Sequence, residues 1–184
     1  MKRLIASIVV TALTVSLPSY ASTLPTAEIT QKIGIGTGPS VSADFRINPK
    51  TSFGFSLGSP FYRGLFLSGT YDVRLLHKFV DQNNFALSGV IGVAGDQAFS
   101  GNLGSAPFGI EAGLALSYEF FPKLTGRLNA VGSIPLFRSG PVFNIFSFVA
   151  PASGAEIAYQ FNSTIEGTLG ANGQGDILGI NIKF

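Results

Sequence analysis

The sequence has no cysteine and no tryptophan, a single histidine (His77), and charged residues at only 12% of its 184 positions. Without cysteine there is no disulfide framework, no thiolate metal site and no lipid-bearing thiol. With one histidine, a Ser/His/Asp-type catalytic centre could be built only around His77. A typical soluble domain is about 25% charged, so the shortage of charge argues against an ordinary water-facing surface. After residue 21 no apolar run reaches the ~20 residues of a helical membrane span. No His/Cys/Asp/Glu spacing points to a metal, and nothing implies a cofactor.

What the chain does have is 46% hydrophobic residues together with 23 glycines and 17 phenylalanines. Its first residues read as an export signal: a basic "MKR", an apolar "LIASIVVTALTV" (4–15), then "SYA" with small Ser19 and Ala21 where a signal peptidase reads. This predicts a cleaved Sec-type signal over 1–21, cut after Ala21, and one mature domain over 22–184. The 12 basic and 10 acidic residues become ten and ten once Lys2 and Arg3 are removed. A neutral mature chain argues against a nucleic-acid partner, which requires a basic face.

The mature sequence alternates with period two. In "VSADFRIN" Val41, Ala43, Phe45 and Ile47 take one face. Asp44 and Arg46, with Ser42 and Asn48, take the other. Asp72 and Arg74 oppose Tyr71, Val73 and Leu75. Glu111 and Glu119 oppose Ile110, Leu114, Leu116, Tyr118 and Phe120. Arg127 opposes Leu124 and Leu128, and the closing "ILGINIKF" sets Leu178, Ile180, Ile182 and Phe184 against Asn181 and Lys183. A soluble sandwich would bury the apolar face; a membrane barrel turns it outward to lipid.

Strand length, connections and aromatics favour the barrel. "GLFLSGTYDVRLLHKF" and "FGIEAGLALSYEF" reach or exceed the ~9–11 residues of a tilted spanning strand. Tight turns at 48–51, 81–84, 121–123 and 161–164 alternate with looser segments at 36–40, 58–64, 95–107, 135–143 and 170–175. Aromatics cluster near the tight turns (Phe79, Phe85, Tyr118, Phe120, Phe121, Tyr159, Phe161, Phe184) and near the looser loops (Phe61, Tyr62, Phe108, Phe137, Phe143), as interfacial girdles would. The expected fold is all-β: a closed antiparallel up-and-down transmembrane barrel. Five hairpins over 28–48, 51–81, 84–121, 124–161 and 164–184 give ten strands, with eight as the alternative if the segment from residue 28 or "TIEGTLG" is not a strand.

The signal, the alternating strands, the rhythm of short turns and longer loops and the terminal "INIKF" together resemble the small outer-membrane β-barrel proteins of Gram-negative bacteria. The resemblance is architectural and covers the whole mature chain. It implies an outer-membrane location, contacts with outer-membrane lipid and lipopolysaccharide, and periplasmic chaperones and the barrel assembly machinery as partners during biogenesis. It also implies that the terminal Phe184 is the assembly signal. Oligomeric state stays open.

The inward charges are the most informative candidates: Asp44, Arg46, Asp72, Arg74, Glu111, Glu119, Arg127, Glu156, Glu166 and Lys183. Arg46, Glu119, Arg127, Glu166 and Lys183 are expected to meet near the short-turn end. Near-equal signs favour a mutually neutralising network over an ion-selective constriction. Small residues, among them Ala86, Ser88, Gly89, Gly92, Ala94, Gly113, Ala115 and Ser117, leave room in the upper lumen for water, an apolar tail or an inward loop. Arg63 and Arg138 are placed to meet lipopolysaccharide phosphates or to remain solvated. "GIGTGPS" and "NST" (162–164) read as turns. The functional expectation is a structural protein, a narrow passive porin-like channel, or both. The alternative is a lipid-modifying acyltransferase or deacylase. Its only candidate histidine, His77, shares the outward parity of Val73 and Leu75 and reads as an interfacial side chain, so no enzymatic activity is expected.

Overall fold

The computed structural model describes residues 23–59, 69–97, 109–135 and 150–184. The alternating segments form ten strands: β1 (Lys32–Gly36), β2 (Ser40–Asn48), β3 (Thr51–Gly58), β4 (Gly69–Gln82), β5 (Phe85–Gln97), β6 (Gly109–Phe121), β7 (Leu124–Pro135), β8 (Gly154–Gln160), β9 (Ile165–Asn172) and β10 (Leu178–Lys183). Each pairs antiparallel with its chain neighbours, and β10 pairs with β1, Lys183 opposite Lys32 and Ile180 opposite Ile35. The sheet is therefore a closed ten-stranded barrel, and the eight-strand alternative falls. Closure satisfies the last strand's backbone, which is why the chain's end is held rather than frayed.

The alternation sorts side chains as a closed wall demands. Ile35, Val41, Phe53, Leu75, Ile91, Leu114, Leu128, Ile157, Leu169 and Ile182 are exposed around the outside, whereas Asp44, Asp72, Arg74, Glu111, Arg127, Glu156 and Glu166 are buried inside. Among the described residues no helix is long and apolar enough to cross a membrane.

The short turns lie at one end. Asn83 (φ 49°) and Lys123 (φ 76°) supply left-handed residues that reverse the chain between paired strands. Beside three of these turns the ladder slips by one residue, leaving Ile47, Phe79 and Phe120 unpaired. A bulge re-aims the extra side chain, and here all three project outward, 52–62% exposed. His77 with Phe79, Tyr118 with Phe120, and Tyr159 with Phe161 then meet edge to face, at 5.5, 5.2 and 5.3 Å between ring centres. Each phenylalanine lies over a glycine of the next strand. A Cβ at Gly89, Gly126 or Gly167 would stand 2.8, 2.5 or 2.8 Å from the ring of Phe79, Phe120 or Phe161. Aromatic rings covering bare glycine are a known device of sheet edges and barrels. At the ends of β4, β6 and β8 the pattern aromatic–X–Phe returns at a spacing of 41 residues, from His77, Tyr118 and Tyr159.

Two sequence expectations need correction. The first strand starts at Lys32 rather than at residue 28; residues 23–31 run inside the barrel. Gly89 does not line the lumen. It pairs with His77 and Leu114 on the outer face, one residue out of phase with inward Ser88. The predicted signal (1–21), Arg63, Arg138, the proposed aromatics of the long-loop end and most of the three longest loops lie outside the described residues.

Candidate functional site in the lumen

Register, rather than local pattern, decides which inward charges meet. One inward row crosses the wall in the order Lys32, Asp44, Gly54, Arg74, Gly92, Glu111. The two glycines make room for the charged groups beside them. A Cβ at Gly54 would overlap Asp44 Oδ1, and one at Gly92 would come within 3.0 Å of Glu111 Oε1. Arg74, 1% exposed, bonds Asp72 through Nη1 and Asp44 Oδ1 through Nη2 at 3.0 Å. Lys32 Nζ lies 3.6 Å from Asp44 Oδ2. Ser56 donates to Asp72, and Gln174, from the β9–β10 connection, donates to Ser56 Oγ at 2.5 Å while accepting from Thr70.

A second network lies towards the short-turn end. Arg127 Nη1 reaches Glu156 at 3.0 Å and Glu166 Oε1 at 2.8 Å; its Nη2 reaches Glu166 Oε2 at 2.9 Å and Glu28 at 3.2 Å. The guanidinium thus grips Glu166 with both nitrogens, the strongest carboxylate geometry available to arginine. Lys183 adds 2.7 Å and Asn181 Nδ2 adds 3.0 Å to the same carboxylate. Of the group expected to meet here, Arg127, Glu166 and Lys183 do so. Arg46 is exposed and Glu119 half-buried, each beside a bulge at the rim, and neither joins a network among the described residues. Asp44, Asp72, Arg74 and Glu111 instead belong to the first row.

Between these networks runs an element the sequence reading missed. Residues 23–31 pass down the barrel from the long-loop end to the short-turn end, and wall side chains hold their backbone. Lys32 Nζ donates to Leu24 O (2.8 Å), Asn129 Nδ2 to Pro25 O (2.8 Å) and Ser88 Oγ to Ala27 O (2.7 Å). Phe184 N–H donates to Gln31 O at 3.2 Å. Thr23 to Ala27 and Ile29 are buried; Ala27 and Ile29 pack with Leu76, Ala86, Val90, Ala115, Val131 and two further alanines, Ala150 and Ala152, that precede β8. The small inward residues thus admit a chain segment. Pro25, which has no N–H for a ladder, was the one local signal that this stretch is not wall.

At the long-loop end Asp176 gathers three segments. Its carboxylate accepts from Thr23 N–H (3.3 Å) and hydroxyl (2.7 Å), Gly38 N–H (3.0 Å), Ser40 Oγ (2.5 Å) and Asn172 Nδ2 (3.1 Å). Glu111 stands apart: it is fully buried and neither oxygen has a hydrogen-bond partner. His77 is exposed on the outer face, with Nδ1 3.0 Å from Thr51 Oγ1 and its ring against Phe79. No carboxylate bonds it among the described residues, so no triad is assembled there.

Outside, a groove of about 450 Å³ crosses β6 to β9, floored by Gly126 and Ala155 between Leu116, Phe120, Leu128, Ile157 and Leu169. It continues the apolar belt. No group of three or more potential metal ligands occurs among the described residues. Compared with models of known protein families and with curated proteins, the chain matches none.

Proposed function

We propose that this chain is an integral protein of the bacterial outer membrane, exported by its 1–21 signal. Its apolar belt lies in lipid, and its lumen is filled, so that it serves as a closed structural barrel rather than an open diffusion pore. The observation that carries the reading is the inversion of the ordinary globular pattern: large aliphatic and aromatic side chains ring the outside of a closed sheet, while paired charges are buried within. In hydrocarbon every backbone group must be paired internally, and only a helix or a closed barrel achieves this. The rings at the short turns fit an interfacial girdle, and the outer groove fits a lipid acyl chain. Exposed Phe184, beyond the last strand pair, fits recognition by an assembly machinery. The short-turn end would face the periplasm.

Cell fractionation and planar-bilayer recording test the two halves of this reading. The protein should sediment with the outer membrane and resist extraction without detergent. The refolded barrel should show no steady discrete conductance. Recovery in the aqueous periplasm would overturn the membrane assignment, and steady conductance by the unaltered chain would overturn the closed lumen.

A further inference from the structure

Asp176 is 2% exposed and accepts five hydrogen bonds, yet no cation touches it among the described residues. Among the described residues the rest of the lumen does not offer one. Lys32, Arg74, Arg127 and Lys183 are committed to Asp44, Asp72, Glu28, Glu156 and Glu166. Buried carboxylates left without a counter-charge are costly. The donor closest in sequence to a new chain end is Thr23, whose N–H and hydroxyl both point at Oδ2. Cleavage after Ala21 would place a free α-amine on Ser22. Three covalent bonds, at most ~4.3 Å of chain, separate that amine from the Thr23 nitrogen.

We propose that Asp176 is the binding site for the chain's own α-ammonium. Removal of the export signal is then the step that allows residues 23–31 to seat in the lumen. The inference rests on the export reading above. Hydrolysis of the Ala21–Ser22 bond by a signal peptidase consumes one water. It leaves a carboxylate on Ala21 and an amine on Ser22, which is mostly protonated at neutral pH. Topology imposes the order. Thr23 sits at the long-loop end of the lumen, whereas the chain descends to the short-turn end before β1 begins. An uncut chain seated in this way would have to carry all of 1–21 out through the far mouth of the barrel. A signal still held at the inner membrane forbids that, so seating must follow the cut.

The test uses the exported, mature protein purified from membranes. Its first residue should be Ser22; a different start overturns the inference. The α-amine should react with an amine-acylating reagent at neutral pH at least about tenfold more slowly than in Asp176→Asn, because a facing carboxylate holds it protonated. Equal rates overturn the proposal. A second variant guards against a folding defect in the first: Gly-Ser-Gly inserted between Ala21 and Ser22 moves the ammonium away while leaving the cut site. The insertion should lower the urea midpoint of the otherwise unaltered chain, and lower it far less when combined with Asp176→Asn. Equal effects in the two backgrounds overturn it. Recovery in the aqueous periplasm would refute the membrane reading instead. A protein found in the outer membrane whose amine is unprotected would refute this inference alone.

Discussion

Replacing Arg127 with methionine tests whether the lumen network holds the barrel together. The guanidinium is buried and meets Glu28, Glu156 and Glu166 at 2.8–3.2 Å. At that spacing and an effective dielectric near 20, each contact is worth roughly 5 kcal/mol of attraction before desolvation, and the cost of taking the ions from water cancels much of the sum. Methionine fills similar space but strands the carboxylates. Lys183 still reaches Glu166, but Glu28 and Glu156 lose their charged partner. Breaking a buried pair from one side costs about 3–5 kcal/mol, so the folding equilibrium should fall by on the order of a hundredfold or more. Urea unfolding of the barrel refolded in detergent, followed by heat-modifiable gel mobility, measures it. Arg46→Met is the comparison, because Arg46 is exposed and should change stability by no more than about 0.5 kcal/mol. Arg127→Met with Glu156→Gln should recover part of the loss, since it removes one stranded charge. If Arg127→Met proves no more harmful than Arg46→Met, the lumen network is not structural.

Glu111→Leu should stabilise the barrel by about 1–3 kcal/mol in the same urea assay, because it replaces a buried carboxyl group that has no hydrogen-bond partner with an apolar side chain. Gly170→Val should cost roughly 3 kcal/mol or abolish refolding, because a Cβ there meets the Ala155 carbonyl and Glu156 backbone of the facing strand. Phe120→Ala should cost about 1 kcal/mol by removing the edge-on contact with Tyr118 and the cover over Gly126. Deleting residues 23–31 should convert an electrically silent barrel into one with discrete single-channel conductance; continued silence would show that another part of the chain closes the lumen.

The wall was legible in the sequence because side-chain parity is a local property. Phe45, Val73, Leu114 and Leu128 could be assigned to one apolar face from their neighbours alone, and the tight turns at "DQNN" and "FPK" divided the strands. The grouping of charges was not legible. Arg46 and Glu119 share parity with buried residues, but whether a side chain of that parity lies within the lumen or beyond its rim depends on bulges and stagger, which are set between strands. The same stagger puts Asp44 beside Arg74, thirty residues away, through an intervening Gly54. Residues 23–31 were hidden for another reason. Between Thr23 and the Glu28 side chain, and again at Gln31, they are held through carbonyl oxygens, which every residue possesses, so these acceptors leave no trace in composition. Asp176 falls between the looser segment at 170–175 and the closing strand, and its role emerges only when Thr23, Gly38 and Ser40 converge on it.

The aromatic pair that returns at 77, 118 and 159 carries an implication for how such walls change size. Each copy has its own reversal, its own ring and a bare glycine on the neighbouring stave to receive it. A duplicated or lost copy would therefore add or remove two staves at once, keeping the start of the first stave and the end of the last on the same rim and the seam intact. Barrel diameter grows roughly in proportion to stave number, so girth in this design would change in whole hairpin steps, each bringing its own aromatic clasp.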